Sequence, residues 1–379
     1  METRTIVLSA NSAWNVANFR GGLVRELLNA GYRVVVLASS DRHVDRVRAL
    51  GCEWISLNIN AHGLNPVDEL RVFARYFQEL RRLRPVAFLG FTIKPNIYGS
   101  LAARLLRIPV FNNVSGLGAT FLRGGWLRFV TKCLYRVAFS SSHRVFFQNE
   151  DDQALFVQEG LVHSAQSSLL PGSGVDLVRF SPGSAAGPHG RPMVILMAAR
   201  MLWDKGVREF VAAVRTLKER GIECDARLLG FVDAANPSAV PREQIAEWQR
   251  EGVVTYFGEV DDVRPMISDA DVVVLPSYRE GTPRSLLEAL AMGKPVVTTD
   301  APGCRNVVAE GVNGYVVPVR NSVAIADALF RFACLSYVQQ IAMGMASREV
   351  AELRYDERLV IGAYLKGLEE LPPRAAKAL

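Results

Sequence analysis

The stretch Val272–Gly293, VVVLPSYREGTPRSLLEALAMG, carries the clearest structural statement in the chain. The β-branched run Val272 to Leu275 predicts a strand buried on both faces, and the run Leu286 to Met292 predicts a helix. Pro276 and Gly281 mark the turn between them. Thr282 is placed to cap the helix, Pro283 to occupy its first position and Gly293 to end it. Glu280 then falls in the loop at the strand's C-terminal end, and Glu288 about two turns into the helix. A helix N-terminus attracts phosphate through its unpaired N–H groups and its dipole. Glu280, Gly281, Thr282, Pro283 and Glu288 therefore fit a phosphate flanked by hydroxyl-rich groups, as in a nucleotide-sugar. The competing reading is an ordinary strand–turn–helix with solvated glutamates. Glu288 weighs against it: Leu287, Ala289, Leu290 and Ala291 surround it in sequence, and a carboxylate in so apolar a helix needs a partner or a ligand.

The same alternation runs through both halves. Ile6 to Leu8, Val34 to Leu37, Trp54 to Leu57, Ala87 to Leu89 and Val110 to Phe111 predict strands, with helices over Phe19 to Asn29, Pro66 to Leu83 and Asn96 to Leu106. It restarts at Val194 to Met197 and continues through Val253–Val254, Val272 to Leu275, Val296 to Thr298 and Tyr315 to Val317. The expectation is an α/β chain of two doubly wound, Rossmann-like domains, residues 1–180 and 192–354, joined by a Pro/Gly-rich linker at 181–191. The chain has 379 residues, 49% hydrophobic and 22% charged, which suits two soluble cores. Its formal charge of +6 allows several anionic partners and selects none. Cys52, Cys133, Cys224, Cys304 and Cys334 form no Cys-x-x-Cys pair, and the histidines lack metal-ligand spacing, so no metal site is expected. The apolar run Thr5 to Ala10 reads as a first strand, and no run reaches the ~18 residues of a membrane span. The expected location is the cytoplasm, with contact to a membrane surface allowed.

Further candidates sit at predicted strand ends. Arg200 and Lys205 follow the first strand of the second domain and are placed to neutralise a diphosphate; an ion pair with Asp204 or Glu209 is the plainer alternative. Phe257, Gly258 and Val260 belong to a glycine turn that either reads a nucleobase through its backbone or is only a turn. Arg128, Lys132 and Arg136 recur every four residues with Trp126, Phe129, Val130, Cys133, Leu134 and Val137 between them. That basic amphipathic helix either docks to anionic lipid or packs with its basic face solvated. Lys94 and Asn96, after a first-domain strand, and the loop with Gly116 and Gly118 are weaker candidates. The loop Asn11 to Asn18 lacks the dinucleotide fingerprint Gly-x-Gly-x-x-Gly, which argues against a dehydrogenase.

Taken together, these residues resemble the glycosyltransferases of family 4, which have the GT-B fold. Glu280 and Glu288 match the family's Glu-x7-Glu motif, Arg200 and Lys205 its diphosphate-binding pair, and Phe257 with Gly258 its Phe-x-Gly turn. Thr92 to Gly99, Gly116 to Gly118 and the basic helix are similar to bacterial transferases acting on polyprenol-linked saccharides. The resemblance implies a retaining, metal-independent enzyme with no cofactor. Its donor is a UDP-sugar, such as a UDP-N-acetylhexosamine, and its acceptor an undecaprenyl-diphosphate-linked saccharide at the inner, anionic face of the cytoplasmic membrane; nucleic acid has no part. It also implies that Glu280 contacts the donor sugar and Glu288 the ribose, that the N-terminal domain binds the acceptor, and that a last helix, within 355–379, crosses back to it. Two departures stand out. The loop after the first strand is rich in Asn where many members carry Gly-Gly, and Phe111–Asn112–Asn113 lacks the family's cleft His. The rival readings are a UDP-N-acetylglucosamine 2-epimerase and a membrane subunit that binds nucleotide-sugar without turnover.

Overall fold

The computed structural model describes residues 4–59, 65–116, 126–183, 191–234 and 236–372. They form two compact units, Met1–Ser173 with Glu357–Leu379, and Gly174–Asp356. In the first unit the strands are β1 (Thr5–Ser12), β2 (Arg33–Ser39), β3 (Glu53–Ser56), β4 (Ala87–Phe91), β5 (Val110–Val114), β6 (Arg144–Phe147) and β7 (Ser167–Leu169). They pair in parallel in the order β3-β2-β1-β4-β5-β6-β7. The second unit holds β8 (Met193–Ala198), β9 (Cys224–Leu229), β10 (Thr255–Tyr256), β11 (Val272–Leu275), β12 (Val296–Thr299) and β13 (Gly314–Val317), in the order β10-β9-β8-β11-β12-β13. Strand order reverses between β1 and β4 and again between β8 and β11, and the C-terminal strand ends at such a reversal are where open α/β sheets bind ligands.

The physical reason for the parallel sheets is visible in the strands. β1, β4, β5, β11 and β12 are buried almost throughout, so both faces of each sheet must be covered by helices. Two helices differ from the predicted spans. The helix expected from Phe19 is two helices, Ala13–Phe19 and Gly21–Asn29, and the one expected over Asn96 to Leu106 is a π-helical turn, Pro95–Gly99, leading into Ser100–Leu105. Val253 and Val254 precede a strand rather than form it; β10 is Thr255–Tyr256.

The units divide at Ser173, ahead of the Pro/Gly-rich segment, whose residues 184–190 lie outside the described residues. Val175 bridges to Asp356, its amide donates to the Tyr355 carbonyl at 2.7 Å, and Val175 and Phe180 are buried in the second core. Those contacts commit residues 174–180 to the second unit. At the far end Tyr355 still packs in that core, whereas Val360, Ile361, Tyr364 and Leu368 of the helix Glu357–Glu369 belong to the core around β1, β4 and β5. A glycine makes this last packing possible: a Cβ on Gly367 would lie 2.6 Å from the Phe111 ring.

Candidate functional site

The second unit's site is assembled from the ends of β8 and β11. After β8 the chain turns through Ala199–Leu202, makes a short 3-10 turn Trp203–Lys205 and enters the helix Val207–Glu219. Gly206 joins the two at φ +77°, and a Cβ there would lie 2.1 Å from the Pro276 carbonyl oxygen. This close approach lets the Asp204 carbonyl accept from both the Tyr278 amide, at 2.9 Å, and the Ser277 hydroxyl, at 3.2 Å. The loop after β11 is thereby laced to the loop after β8. The result places Lys205 Nζ 2.5 Å from Glu280 Oε1, with side-chain exposures of 15% and 16%. Two charges so far from full solvation need each other or a ligand. On the other side, Gly303 lets the 302–303 turn press on the Glu280 loop, whose amide donates to the Pro302 carbonyl at 3.0 Å.

The helix that follows is Arg284–Ala291, with Pro283 at the N-cap position. Pro283, not Thr282, takes the N-cap position, and its carbonyl accepts from Leu286 and Leu287 at 3.0 and 3.2 Å. Proline preceding Arg284 holds its own φ but keeps extended ψ, so the helix begins one residue later than the spacing predicts. Glu288 accordingly lies little more than one turn into the helix, nearer its N-terminus than two turns. Its Oε1 accepts from Arg284 Nε at 2.9 Å. Arg284 also donates to the Gly174 carbonyl and lies over the Phe180 ring. Burial raises the Glu288 carboxyl above the usual range, Arg284 and Arg179 pull it back down, and Asp262 pushes it up. Arg200 is looser, with Nη1 3.7 Å from Asp233 Oδ2.

Phe257, Gly258 and Val260 lie on the same sheet edge. The Gly258 carbonyl accepts from the Gly230 amide at 2.7 Å, and a Cβ on Gly230 would meet the Ala199 carbonyl next to Arg200. Phe257 is exposed beside the Arg227 guanidinium, while Val260 packs partly into the second core. Sequence reasoning missed Tyr278 and Arg284, and weighed Asp204 only as an ion-pair partner, whereas its carbonyl holds the loop after β11. Tyr278 donates to Glu209 at 2.7 Å, and the burial this entails pushes its phenol up to about 12. An arginine four residues before a buried glutamate was a readable signal; the Tyr278–Glu209 pair had none.

In the first unit the candidates separate. Lys94 is paired with Glu69, their side chains 13% and 14% exposed. Asn96, a binding candidate on the sequence, is instead buried. It is 1% exposed, with Nδ2 donating to the Asn113 carbonyl at 2.8 Å and Oδ1 accepting from Asn112 at 3.1 Å. That network extends through Asn112 to Ser142 and through Asn113 to Gln148 and Tyr364. Gly116 lies just beyond β5, and Gly118 lies outside the described residues. The basic helix is Trp126–Phe139. Its cations are not a freely solvated face: Arg128 and Lys132 reach Glu159 at 3.2 and 2.7 Å, and Arg136 donates to the Glu159 and Gly160 carbonyls. They gather at the C-terminal end of the helix Glu150–Gln158, where its dipole is negative. Its apolar side is not wholly packed either. Tyr135, Ala138 and Phe139 are buried, whereas Phe129 is 62% exposed and Cys133 and Val137 are also on the surface.

Residues 192–333 match the family described as glycosyl transferases group 1, and residues 16–172 match the glycosyl transferase 4-like domain. The chain is a glycosyltransferase. This glycosyltransferase is 28% identical over 368 residues to the N,N'-diacetylbacillosaminyl-diphospho-undecaprenol alpha-1,3-N-acetylgalactosaminyltransferase of Campylobacter jejuni, covering 93% of this chain and 95% of that one. It is 24% identical to the UDP-Gal:alpha-D-GlcNAc-diphosphoundecaprenol alpha-1,3-galactosyltransferase of Escherichia coli, over 76% of this chain and 75% of the other. Its fold is GT-B. The structure of Anabaena HepE in complex with UDP and glucose superposes with a TM-score of 0.80 at 17% identity, covering 97% of this chain and 100% of that one. WaaG, a glycosyltransferase involved in lipopolysaccharide biosynthesis, gives 0.72 at 17% identity over 94% and 98%. Among the described residues of the glycosyltransferase, no helix is long and apolar enough to cross a membrane, and no group of three His, Cys, Asp or Glu side chains is placed to hold a metal ion.

Proposed function

We propose that this glycosyltransferase moves a sugar, an N-acetylhexosamine such as GalNAc, from its UDP-sugar to an undecaprenyl-diphosphate-linked saccharide. The transfer retains anomeric configuration, needs no metal, and takes place at the inner face of the cytoplasmic membrane in assembly of a bacterial glycan. The Lys205–Glu280 pair at the β8 and β11 ends carries the reading. A diphosphate arriving at the start of the helix Arg284–Ala291 takes over Lys205, and the freed Glu280 turns to the hydroxyls of the donor sugar. Lys205, Arg200 and the helix N-terminus then stabilise the charge that develops on the departing UDP, the work that otherwise falls to a cation. Glu288 holds the ribose, and Phe257, Gly258 and Val260 line the nucleobase end. The acceptor hydroxyl attacks the face the leaving group vacates and loses its proton to a phosphate oxygen. The printed substrates of the Campylobacter and Escherichia relatives, both diphospho-undecaprenol saccharides, support the acceptor class. The exposed Phe129 and Val137 of the helix Trp126–Phe139 support attachment to a bilayer.

The test is UDP release from a panel of UDP-sugars, with and without a bacterial membrane lipid extract, together with the anomeric configuration of the product by NMR. Acceptor-dependent release from one donor, with an α-linked product from an α-donor, is expected. Lys205→Ala should lower kcat by about 100-fold or more. Release that ignores the lipid, or full activity in Lys205→Ala, overturns the reading.

A further inference from the structure

The loop that carries Lys205 and the loop that carries Glu280 are joined by more than their ion pair. Tyr278, two residues before Glu280, reaches Glu209 in the first turn of the helix Val207–Glu219, and its hydroxyl donates to Glu209 Oε1 at 2.7 Å. A hydrogen bond to a carboxylate is roughly twice as strong as one between neutral groups. Burial, and next the carboxylate itself, push the phenol up to about 12, so at neutral pH it keeps its proton and donates. Glu209 Oε2 is buried with no hydrogen-bond partner. A buried oxygen left open costs about 1–3 kcal/mol, so this carboxylate holds Tyr278 at a sacrifice of its own solvation.

A third residue comes from the edge of the sheet. Arg320 lies between β13 and the helix Ser322–Ala333, and its guanidinium sits over the Tyr278 ring, 4.7 Å from the centroid. Its backbone has φ +58°, a left-handed conformation that costs a residue with a side chain about 1–2 kcal/mol. The ring is thus held at its hydroxyl by Glu209 and on its face by Arg320, each at a local cost to the fold. Those costs have a use once the ion pair opens. In the proposed transfer the diphosphate takes Lys205 from Glu280, and that cross-link between the loops is lost when the site must be most exact. The ties that persist include the Tyr278 amide and Ser277 hydroxyl to the Asp204 carbonyl, and the Tyr278 hydroxyl to Glu209. The first two fix the backbone where it leaves the strand. The third fixes the loop further out, next to Glu280.

We infer that Tyr278, clasped by Glu209 and Arg320, is a positioning residue that keeps Glu280 and Lys205 in place for sugar transfer after the diphosphate has parted them. The inference rests on the proposed function for the reaction it serves. None of the three residues touches the sugar or the phosphate; they act through the two loops. A catalytic group displaced by about 1 Å can cost about 100-fold in rate, so a clasp of this kind bears on turnover more than on affinity. A hydrogen bond that only stabilised the fold would bear on the melting temperature alone.

Steady-state kinetics of the full chain, with thermal melts and hydrogen exchange of the peptide 276–281, separate the two roles. Tyr278→Phe is expected to lower kcat about tenfold or more, with KM for the UDP-sugar moving less than about threefold, and to speed exchange of the Tyr278 and Glu280 amides. Glu209→Ala should do the same, and Glu209→Gln, which keeps an acceptor for the hydroxyl, should restore most of the loss. Tyr278→Phe/Glu209→Ala should be no slower than either single variant, because both remove one bond. Arg320→Gly is the discriminating variant. Glycine adopts the left-handed backbone without strain, so its Tm should hold while kcat falls several-fold. Wild-type kcat in Tyr278→Phe or in Arg320→Gly, whatever the melts show, overturns the inference. So do multiplied losses in the double variant, or a Glu209→Gln as slow as Glu209→Ala. A wild type that transfers no sugar overturns the proposed function instead. Exchange then decides the clasp by itself: faster exchange in Tyr278→Phe and Glu209→Ala upholds it, and unchanged exchange overturns it.

Discussion

At Gly206 one hydrogen atom in place of a methyl decides whether the two site loops can meet. A Cβ there would collide with the Pro276 carbonyl, and φ of +77° adds strain for any other residue. Gly206→Ala is expected to cost on the order of 3 kcal/mol, read as a lowered midpoint in urea, and to separate Lys205 from Glu280. Glu288 gives a second residue-scale test. Its folded carboxyl titrates above the ordinary value because of burial. Below the unfolded value of about 4.3 both states hold the proton and nothing is lost. As pH rises through the folded value, the native state must give up a proton it holds more tightly than the unfolded chain does, so stability falls. Denaturation of wild type and Glu288→Gln at pH 5 and pH 8 should show the wild type losing ground to the variant at the higher pH. An unchanged difference would mean that Arg284 fully offsets the burial. Glu280, Lys205, Arg200 and Glu288 were legible from strand ends and spacing. Their partners were not: the Lys205–Glu280 contact joins loops that only the β8–β11 adjacency brings together, and no local pattern encodes that.

Elements were legible where burial dominates. Runs such as Val34 to Leu37 and Val272 to Leu275 are strands because both faces are covered. Short strands with mixed sides, β7 and β10 among them, gave no such run. The helix Trp126–Phe139 shows the limit of pattern reading from the other direction. Its basic spacing is real, but the cations serve a neighbour, holding the carbonyls and Glu159 at the end of Glu150–Gln158. Arg136→Ala should therefore cost about 1 kcal/mol of stability through its lost bonds to those carbonyls. Membrane attachment through this helix must draw on its exposed apolar residues. Co-sedimentation with anionic vesicles should weaken in Phe129→Ser/Val137→Ser, with no change in thermal midpoint. Equal binding by that double variant would move the contact elsewhere.

For the whole molecule, the Pro/Gly-rich segment reads as a boundary in the sequence, and the division falls before it. Isolated apolar residues such as Val175 and Phe180 carry no periodicity, so only their packing shows which core owns them. The helix Glu357–Glu369 is likewise owned by the first unit. Deleting the chain after Asp356 would uncover the surfaces that Val360, Ile361, Tyr364 and Leu368 seal. At about 1.5–3 kcal/mol for each side chain, the loss is roughly 6 kcal/mol or more, comparable to the net stability of a domain. The truncated chain is expected to show a first unit that is proteolysed rapidly while the second resists; equal resistance of both would show that the helix is dispensable.

That arrangement also sets a schedule for the chain's birth. The first unit leaves the ribosome early but cannot close its core, because the helix Glu357–Glu369 is translated only after the whole of the second unit. The second unit is continuous and is free to fold while the first waits, for roughly 10–40 s at ordinary translation speeds. The earlier-made half is thus the later-finished one, and any message cut short before Glu357 yields a product that chaperones and proteases can recognise by its open sheet, ahead of its ever meeting a substrate.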